Sequence, residues 1–504
     1  MSEITGRGLA RSSLQMQAAQ LSQMALRLVL TPLVIARLGL EGYGVWVLLF
    51  SLCSYATALN TGVAWAYVKL TAELDERRDY AVMAQVVSSG AALMTTVAAV
   101  LLGALWLARA ALLPRIGVPL PRLAEAQTVL AVLSAAVVVE AGLGCTLYVL
   151  AGLQRMDLQY RLMLAGSLAD FATAFALLTS GYGMTSLACG WLAGQVVSAG
   201  AAWTLCRRLR PALTISPWHA GPAGLRRMMP LGFRLQGVVL LNVVAKESVR
   251  LSISSLFGAA ALGTYQLADR LLFAARSPAA AILAPLMPAF SSLAAGAQPA
   301  RTRRLFAQAS TVTAVGAAFA LLFAAVFAES LVFAFTGRHL PEVAWTVRVL
   351  APAEFAALLT GVAVAALRAA GTVGWELRFG LATSVLALAG AVVGNTVGGF
   401  AASIIGIAAG RGTAAAWLLM RLPASWGLDR FEYVRRSLSW SLLAVPPVLL
   451  AAKLAPVGLV AGSGRWQALA TLAALAALSA LAVAAVTWLL LSGEDRAAAR
   501  PPPS

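Results

Sequence analysis

The chain has 504 residues, of which 60% are hydrophobic and only 12% charged, with a formal net charge of +18. A soluble protein of this size needs far more charge to cover its surface, so a water-soluble globular class is excluded. Unalternated apolar runs of about twenty residues exclude a β-barrel and predict an all-α polytopic membrane protein.

About fourteen transmembrane helices are expected, near 14–38, 43–68, 84–108, 124–151, 161–180, 184–206, 228–257, 261–290, 304–328, 342–367, 378–398, 400–421, 438–455 and 466–491. They group as an N-lobe of spans one to six (1–210), a C-lobe of spans seven to twelve (211–425) and two additional spans (426–492). A tail follows at 493–504, ending in Pro-Pro-Pro-Ser, and it is expected to be disordered. The first span begins after Arg7 and Arg11 and runs past signal-peptide length with no cleavage pattern, so it reads as a retained span. With the N-terminus inside, loop Lys and Arg divide about 23 against 7 in favour of the cytoplasm, which places both termini there. This bias accounts for much of the positive charge without nucleic acid. The loop Arg109–Arg122 is basic on the outer side, and Pro114, Pro119 and Pro121 predict a rigid external turn. The loop Arg207–Arg227, rich in Arg, Pro and Gly, is the expected boundary between the lobes.

The first two spans meet at a glycine turn, Leu38-Gly39-Leu40-Glu41-Gly42-Tyr43-Gly44-Val45-Trp46. A similar stretch follows later, Phe257-Gly258-Ala259-Ala260-Ala261-Leu262-Gly263-Thr264-Tyr265. A shift of about 219 positions superposes Gly39 on Gly258, Gly44 on Gly263, and Trp46 on Tyr265, the mark of an internally duplicated transporter. Gln23 then meets Asn242, and Arg27 meets Lys246.

Eight basic residues fall inside predicted spans: Arg27, Arg234, Lys246, Arg250, Arg270, Arg276, Arg348 and Arg411. Five acids share that zone: Glu140, Asp170, Glu247, Asp269 and Glu354. Each charge costs at least about 2.5–3.5 kcal/mol at mid-membrane, so each needs an interior partner or a wet cavity. In span one, Gln20, Gln23, Arg27 and Thr31 form one polar stripe; in span seven, Asn242, Lys246, Arg250 and Ser254 do the same. Matching stripes in two halves predict a shared cavity with cationic walls. Pro32, Pro230, Pro278, Pro285 and Pro288 are expected to permit bends. Arg234 and Arg276, near the inner ends, are read as snorkelling to headgroups. Glu247 lies three residues before Arg250 on one helix face, positioned to neutralise it. Arg348 and Arg411 fit either a structural or a cavity role. Glu140 and Asp170 are open to three roles: proton carrier, partner for Arg27, or neutral hydrogen-bonded carboxyl. Tryptophans such as Trp46, Trp65, Trp106, Trp191 and Trp488 read as interfacial anchors. Cys53, Cys145, Cys189 and Cys206, with His219 and His339, show no ligand spacing, so no metal or other cofactor is implied.

The segment Leu30-Thr31-Pro32-Leu33-Val34, with Leu38-Gly39, Gly42-Tyr43-Gly44-Val45-Trp46, Tyr55 and Leu59-Asn60-Thr61-Gly62-Val63, resembles the opening of bacterial polysaccharide flippases. These are O-antigen or repeat-unit translocases of the multidrug/oligosaccharidyl-lipid/polysaccharide exporter superfamily. The close match covers about the first 75 residues, and the span layout covers the chain. The resemblance implies two six-helix lobes, two extra C-terminal helices, and a bacterial inner-membrane protein working by alternating access. The implied cargo is an undecaprenyl-pyrophosphate-linked oligosaccharide, moved with H+ or Na+ coupling. Membrane lipids and the pathway's glycosyltransferases and polysaccharide polymerase are the implied partners. Basic cavity residues of the family map onto Arg27, Lys246 and Arg250. From their positions inside apolar spans, Gln23, Asn242, Arg270, Arg348 and Arg411 are further cavity candidates, and Glu140, Asp170, Glu247, Asp269 and Glu354 are the candidate coupling acids. Family members often carry Asp where this chain has Asn60, so coupling through that acid is in doubt.

Three rivals remain. A multidrug cation exporter of the same superfamily requires a deep acid in the first lobe and a less basic cavity. A lipid-linked peptidoglycan precursor flippase shares the charge logic but carries several arginines flanking its first helix, which are not evident in this chain. A membrane-embedded polysaccharide polymerase or ligase, an enzyme, needs a catalytic external loop, and the predicted external loops are short.

Overall fold

The computed structural model describes residues 6–283, 285–296, 299–421, 430–454 and 464–498. The first part of the chain forms α1 (Gly6–Glu76), α2 (Tyr80–Arg115), α3 (Leu123–Leu143), α4 (Cys145–Gly152), α5 (Met156–Thr179) and α6 (Thr185–Leu209). Next come α7 (Pro222–Ala281), α8 (Leu286–Ala295), α9 (Pro299–Val326), α10 (Ala328–Thr336), α11 (Pro341–Ala369) and α12 (Val373–Met420). The last helices are α13 (Arg430–Ser441), α14 (Val445–Leu454) and α15 (Arg465–Ala498), and no strand occurs among the described residues.

Three helices are too long for one crossing. At 71, 60 and 48 residues, α1, α7 and α12 would measure about 107, 90 and 72 Å if straight, against a hydrocarbon core of about 30 Å. Each is broken at glycine: Gly39 in α1, Gly258 in α7, and Gly398–Gly399 in α12. Among the described residues, ten helical stretches are long and apolar enough to cross a membrane. Splitting these three and adding α6, which has the length but less apolarity, brings the described residues to the fourteen crossings expected from hydropathy. The protein is an all-α polytopic membrane protein.

The duplicated turns share more than spelling. Gly39 (φ 73°, ψ 179°) and Gly258 (φ 82°, ψ 174°) occupy the same backbone region, one open essentially to glycine alone. The two turns also touch reciprocally. A Cβ on Gly44 would overlap the Ala259 carbonyl, and a Cβ on Gly263 would overlap the Leu40 carbonyl. Under the 219-residue shift Leu40 is the counterpart of Ala259, so the two turns make one contact twice.

Compactness divides the chain into Met1–Gly263 and Thr264–Ser504. In the first unit a core of Tyr67, Met83, Val149, Leu150, Cys206 and Met228 joins α1, α2, α4, α6 and α7. The loop expected to separate the lobes is docked within this unit. Arg210 donates to both Asp75 oxygens at 2.7 and 2.9 Å, and Ser89 Oγ, which donates to the Gln85 carbonyl at 2.6 Å, accepts from Gly221 N at 2.9 Å. The basic loop before α3 is accounted for as well: Arg122 Nε donates to Glu41 at 2.9 Å and its Nη2 to the Leu38 carbonyl at 3.4 Å. Arg122 therefore clasps the first glycine turn.

In the second unit, Phe290, Phe306 and Tyr433 pack as tilted rings through the core, and the Tyr433 hydroxyl donates to the Leu359 carbonyl at 3.0 Å. α14 and α15 pack on α9 and α10 through Phe323, Phe327, Val448 and Leu472. Two expectations change in detail. The eighth span is interrupted at Ile282–Leu283, next to Pro285, which lacks the amide needed to continue the ladder. The last helix runs on to Ala498, past Gly493 where the disordered tail was expected to begin, while residues 499–504 lie outside the described ones.

Candidate functional site

Within the first unit a cavity of about 210 Å³ opens between α1, α3, α4, α5 and α6. Its wall carries Gln23 and Arg27 from the first arm of α1, Glu140 from α3, Asp170 from α5 and Gln195 from α6, with Tyr67, Tyr148 and Trp191 as aromatic lining. Gln195 Nε2 donates to Glu140 Oε2 at 3.4 Å, and Arg27 and Asp170 interact electrostatically.

Small residues bring these groups together. α5 and α6 close on each other through Gly166 and Gly194; a Cβ on Gly166 would come within 2.7 Å of the Gly194 carbonyl. Gly190 lies against Asp170, where an added Cβ would meet its carbonyl at 2.7 Å and its carboxylate at 2.8 Å. Any side chain at 190 would push Asp170 out of place. This is the small-residue packing by which membrane helices approach closely. The break between α3 and α4 at Gly144 follows Glu140 by one turn and lies in the cavity wall, where irregular backbone is tolerated in a membrane.

The structure does not gather all the expected cations into this cavity. Arg27 lines it; Lys246 is exposed on α7 and is not part of its wall. Both lie twelve residues before their glycine turns, about 18 Å along the helix, so they hold matching positions in the two repeated stretches. Arg250 is buried and closed on Glu247, with Nη1 2.9 Å from each carboxylate oxygen. Arg348 donates to Glu329 at 2.9 Å on an exposed face. Arg270 is half-buried on the second arm of α7. The side chains of Asn242, Arg234 and Asn60 lie outside the described ones.

Arg411 belongs to a different cluster, wholly in the second unit. Its Nη1 donates to Glu354 Oε1 at 2.9 Å and its Nη2 to the Tyr265 hydroxyl at 2.6 Å, and Asp269 adds to the field around it. Arg276, read from sequence as snorkelling, is instead paired with the other Glu354 oxygen at 3.1 Å. Glu354 is thus held between two guanidiniums. The first repeat fills the matching positions differently: Trp46, the counterpart of Tyr265, packs on Phe50, the counterpart of Asp269, and Phe50 on Trp191. Where one repeat has aromatic packing, the other has ions.

Sequence reasoning missed Gln195, Tyr148 and Trp191 as cavity residues. A signal existed for Gln195: it sits beside Gly194 in α6, on the helix whose Gly190, Gly194 and Ser198 recur at four-residue steps. Trp191 read as an interfacial anchor because composition cannot tell a wall from a headgroup belt.

A polar cavity among apolar helices, in a chain with two matching glycine turns, belongs to a multi-pass membrane protein with a repeated core. Solved structures share the fold. The lipid II flippase MurJ in an inward closed conformation aligns over 96% of this chain and 99% of its own, with 11% identity and a TM-score of 0.71. A multidrug resistance MATE family transporter of the MOP superfamily, in an inward-facing conformation, aligns over 80% of this chain and 95% of its own, with 17% identity and a TM-score of 0.67. A MOP superfamily transporter from Pyrococcus furiosus, described as having a binding pocket of reverse polarity, aligns over 83% and 96% with 16% identity and a TM-score of 0.58. No curated protein matches by sequence. The family model described as polysaccharide biosynthesis protein matches residues 34–344, more than half of the chain, and the chain belongs to that family.

Proposed function

We propose that the protein turns an undecaprenyl-pyrophosphate-linked oligosaccharide from the inner to the outer leaflet of a bacterial cytoplasmic membrane by alternating access, driven by H+ or Na+. In this reading the repeats are the lobes 1–210 and 211–425, with 426–492 as two added spans and both termini cytoplasmic. The observation that carries it is Arg27, on the wall of a polar cavity and electrostatically engaged with Asp170. A pyrophosphate needs fixed cations to replace its hydration inside the membrane, and a guanidinium offers two parallel donors to it. The same Arg27 answers to Asp170, so the carboxylate and the cargo's phosphate compete for it: neutralising Asp170 with a proton or Na+ frees the guanidinium for phosphate. Glu140, bonded to Gln195, is the second carboxyl available for this exchange. Lys246, at the matching position of the second repeat, supplies the other cation. The sugar-assembling glycosyltransferases act before this step, and the polymerase after it.

The experiment is in cells. Arg27→Ala and Lys246→Ala each abolish surface polysaccharide while the protein stays in the membrane; normal polymer in both variants removes the cargo assignment. Asp170→Asn and Glu140→Gln weaken the pH dependence of transport, and unchanged profiles in both move the search to Glu247, Asp269 and Glu354.

One observation favours a second reading. The cavity wall carries two carboxyls against a single arginine, which suits an organic-cation exporter better than a purely cationic cavity would. Saturable binding of a lipophilic cation that Asp170→Asn removes, with no binding of polyprenyl pyrophosphate, selects that reading.

A further inference from the structure

α1 and α5 present two different faces one residue apart. On α5, Met163, Ser167 and Asp170 point into the polar cavity, while Leu164, Leu168 and Phe171 line an apolar groove of about 360 Å³ on the other side. On α1, Gln23 and Arg27 belong to the cavity, while Ala25, Leu26 and Val29 belong to the groove. A step of one residue rotates a side chain by about 100° around a helix, so each helix turns a polar stripe inward and an apolar stripe outward. The groove therefore runs alongside the cavity, with Arg27 and Leu26, and Asp170 and Phe171, as adjacent pairs across the boundary. Val29 and Leu168 are 63% and 50% exposed, so the groove is open along its length.

We infer that the seam between α1 and α5 is where the cargo's isoprenoid chain docks, seated in the groove of Leu26, Val29, Leu164, Leu168 and Phe171 while its phosphate reaches Arg27. The inference rests on the flippase reading and adds to it the position of the lipid tail. The occupant is argued from continuity: apolar groove, then a guanidinium, then a polar cavity is the order of chain, phosphate and sugar in a lipid-linked saccharide. An ordinary acyl chain meets the first of these but has no use for the third. Within a membrane the groove gains nothing from hydrophobic transfer, because the surrounding lipid is as apolar as leucine. Its contribution is register. It fixes how far along the membrane normal the phosphate sits, and the grip on the cargo comes from Arg27.

The test uses the full-length protein in lipid nanodiscs and a polyprenyl monophosphate with a photoreactive diazirine on its chain. Adducts mapped by peptide mass spectrometry are expected on 22–29 and 164–171. Leu168→Trp, which fills the groove, loses them, and so does Val29→Trp, whose exposed side chain can be enlarged without disturbing the core. Arg27→Ala reduces capture at the same positions. Adducts spread evenly over the lipid-facing helices overturn the inference. So does a diazirine-tagged phosphatidylethanolamine that labels the same residues equally well and is not displaced by polyprenyl phosphate, since the groove would then hold bulk lipid. The two readings fail separately. Loss of surface polysaccharide in Arg27→Ala cells with adducts elsewhere sinks only the groove. Adducts in the seam with normal polymer in those cells sink the cargo assignment instead.

Discussion

Replacing Gly44 by alanine adds one methyl at the reciprocal contact, where the new Cβ would overlap the Ala259 carbonyl. The clash is with backbone, so no side-chain rotation relieves it, and the turn must separate from its partner or shift. Overpacking of this kind costs about 1–3 kcal/mol. If that cost falls on the closed contact alone, local opening becomes about 5- to 150-fold more frequent. Because Gly263 makes the mirror-related contact with Leu40, Gly263→Ala should have a matching effect. The double variant should cost less than the sum, since both changes open the same seam. Hydrogen exchange in nanodiscs reads this directly: peptides covering 38–48 and 257–266 should both speed up in either single variant. Gly200→Ala, where nothing lies within 4 Å of the added carbon, is the control and should leave both turns unchanged. Faster exchange confined to the substituted turn, or none in either, would refute the reciprocal packing.

Glu354→Gln leaves Arg276 and Arg411 facing one another without their shared carboxylate, and stranding buried charge costs about 3–5 kcal/mol. A clear fall in thermal stability is expected, largely recovered when Arg411→Met is added; a melting curve like the wild type's would show that the cluster holds nothing. Arg122→Ala removes a partly exposed clasp on the first glycine turn, worth only about 0.2–1 kcal/mol. It should leave the melting temperature in place while raising exchange at 38–41 and 120–125, and an unchanged exchange pattern would argue that Arg122 does not restrain the turn.

What could be read from sequence was whatever is local or repeated. The glycine turns were legible because a backbone region closed to other residues forces glycine at Gly39 and again at Gly258. The Glu247–Arg250 pair was legible because three residues is less than one helical turn. The Arg411–Glu354 and Arg411–Tyr265 bonds were not, since their partners lie 57 and 146 positions away and nothing in composition selects one distant acid over another. The cavity fell between these cases. Arg27 and Asp170 were each suspect as charges in apolar runs, but their meeting depends on Gly166, Gly190 and Gly194 letting α5 and α6 close. Glycine is common throughout this chain, with 43 of them, so the ones that do this work carry no distinguishing mark in the sequence.

The most direct measurement is the leaflet exchange of a lipid-linked oligosaccharide in proteoliposomes, comparing wild type with Arg27→Ala and Asp170→Asn. Arg27→Ala should stop exchange. Asp170→Asn, whose arginine is released from its carboxylate, should still bind polyprenyl pyrophosphate but lose the response to an imposed ion gradient. Exchange by Arg27→Ala at the wild-type rate would contradict the account at its centre.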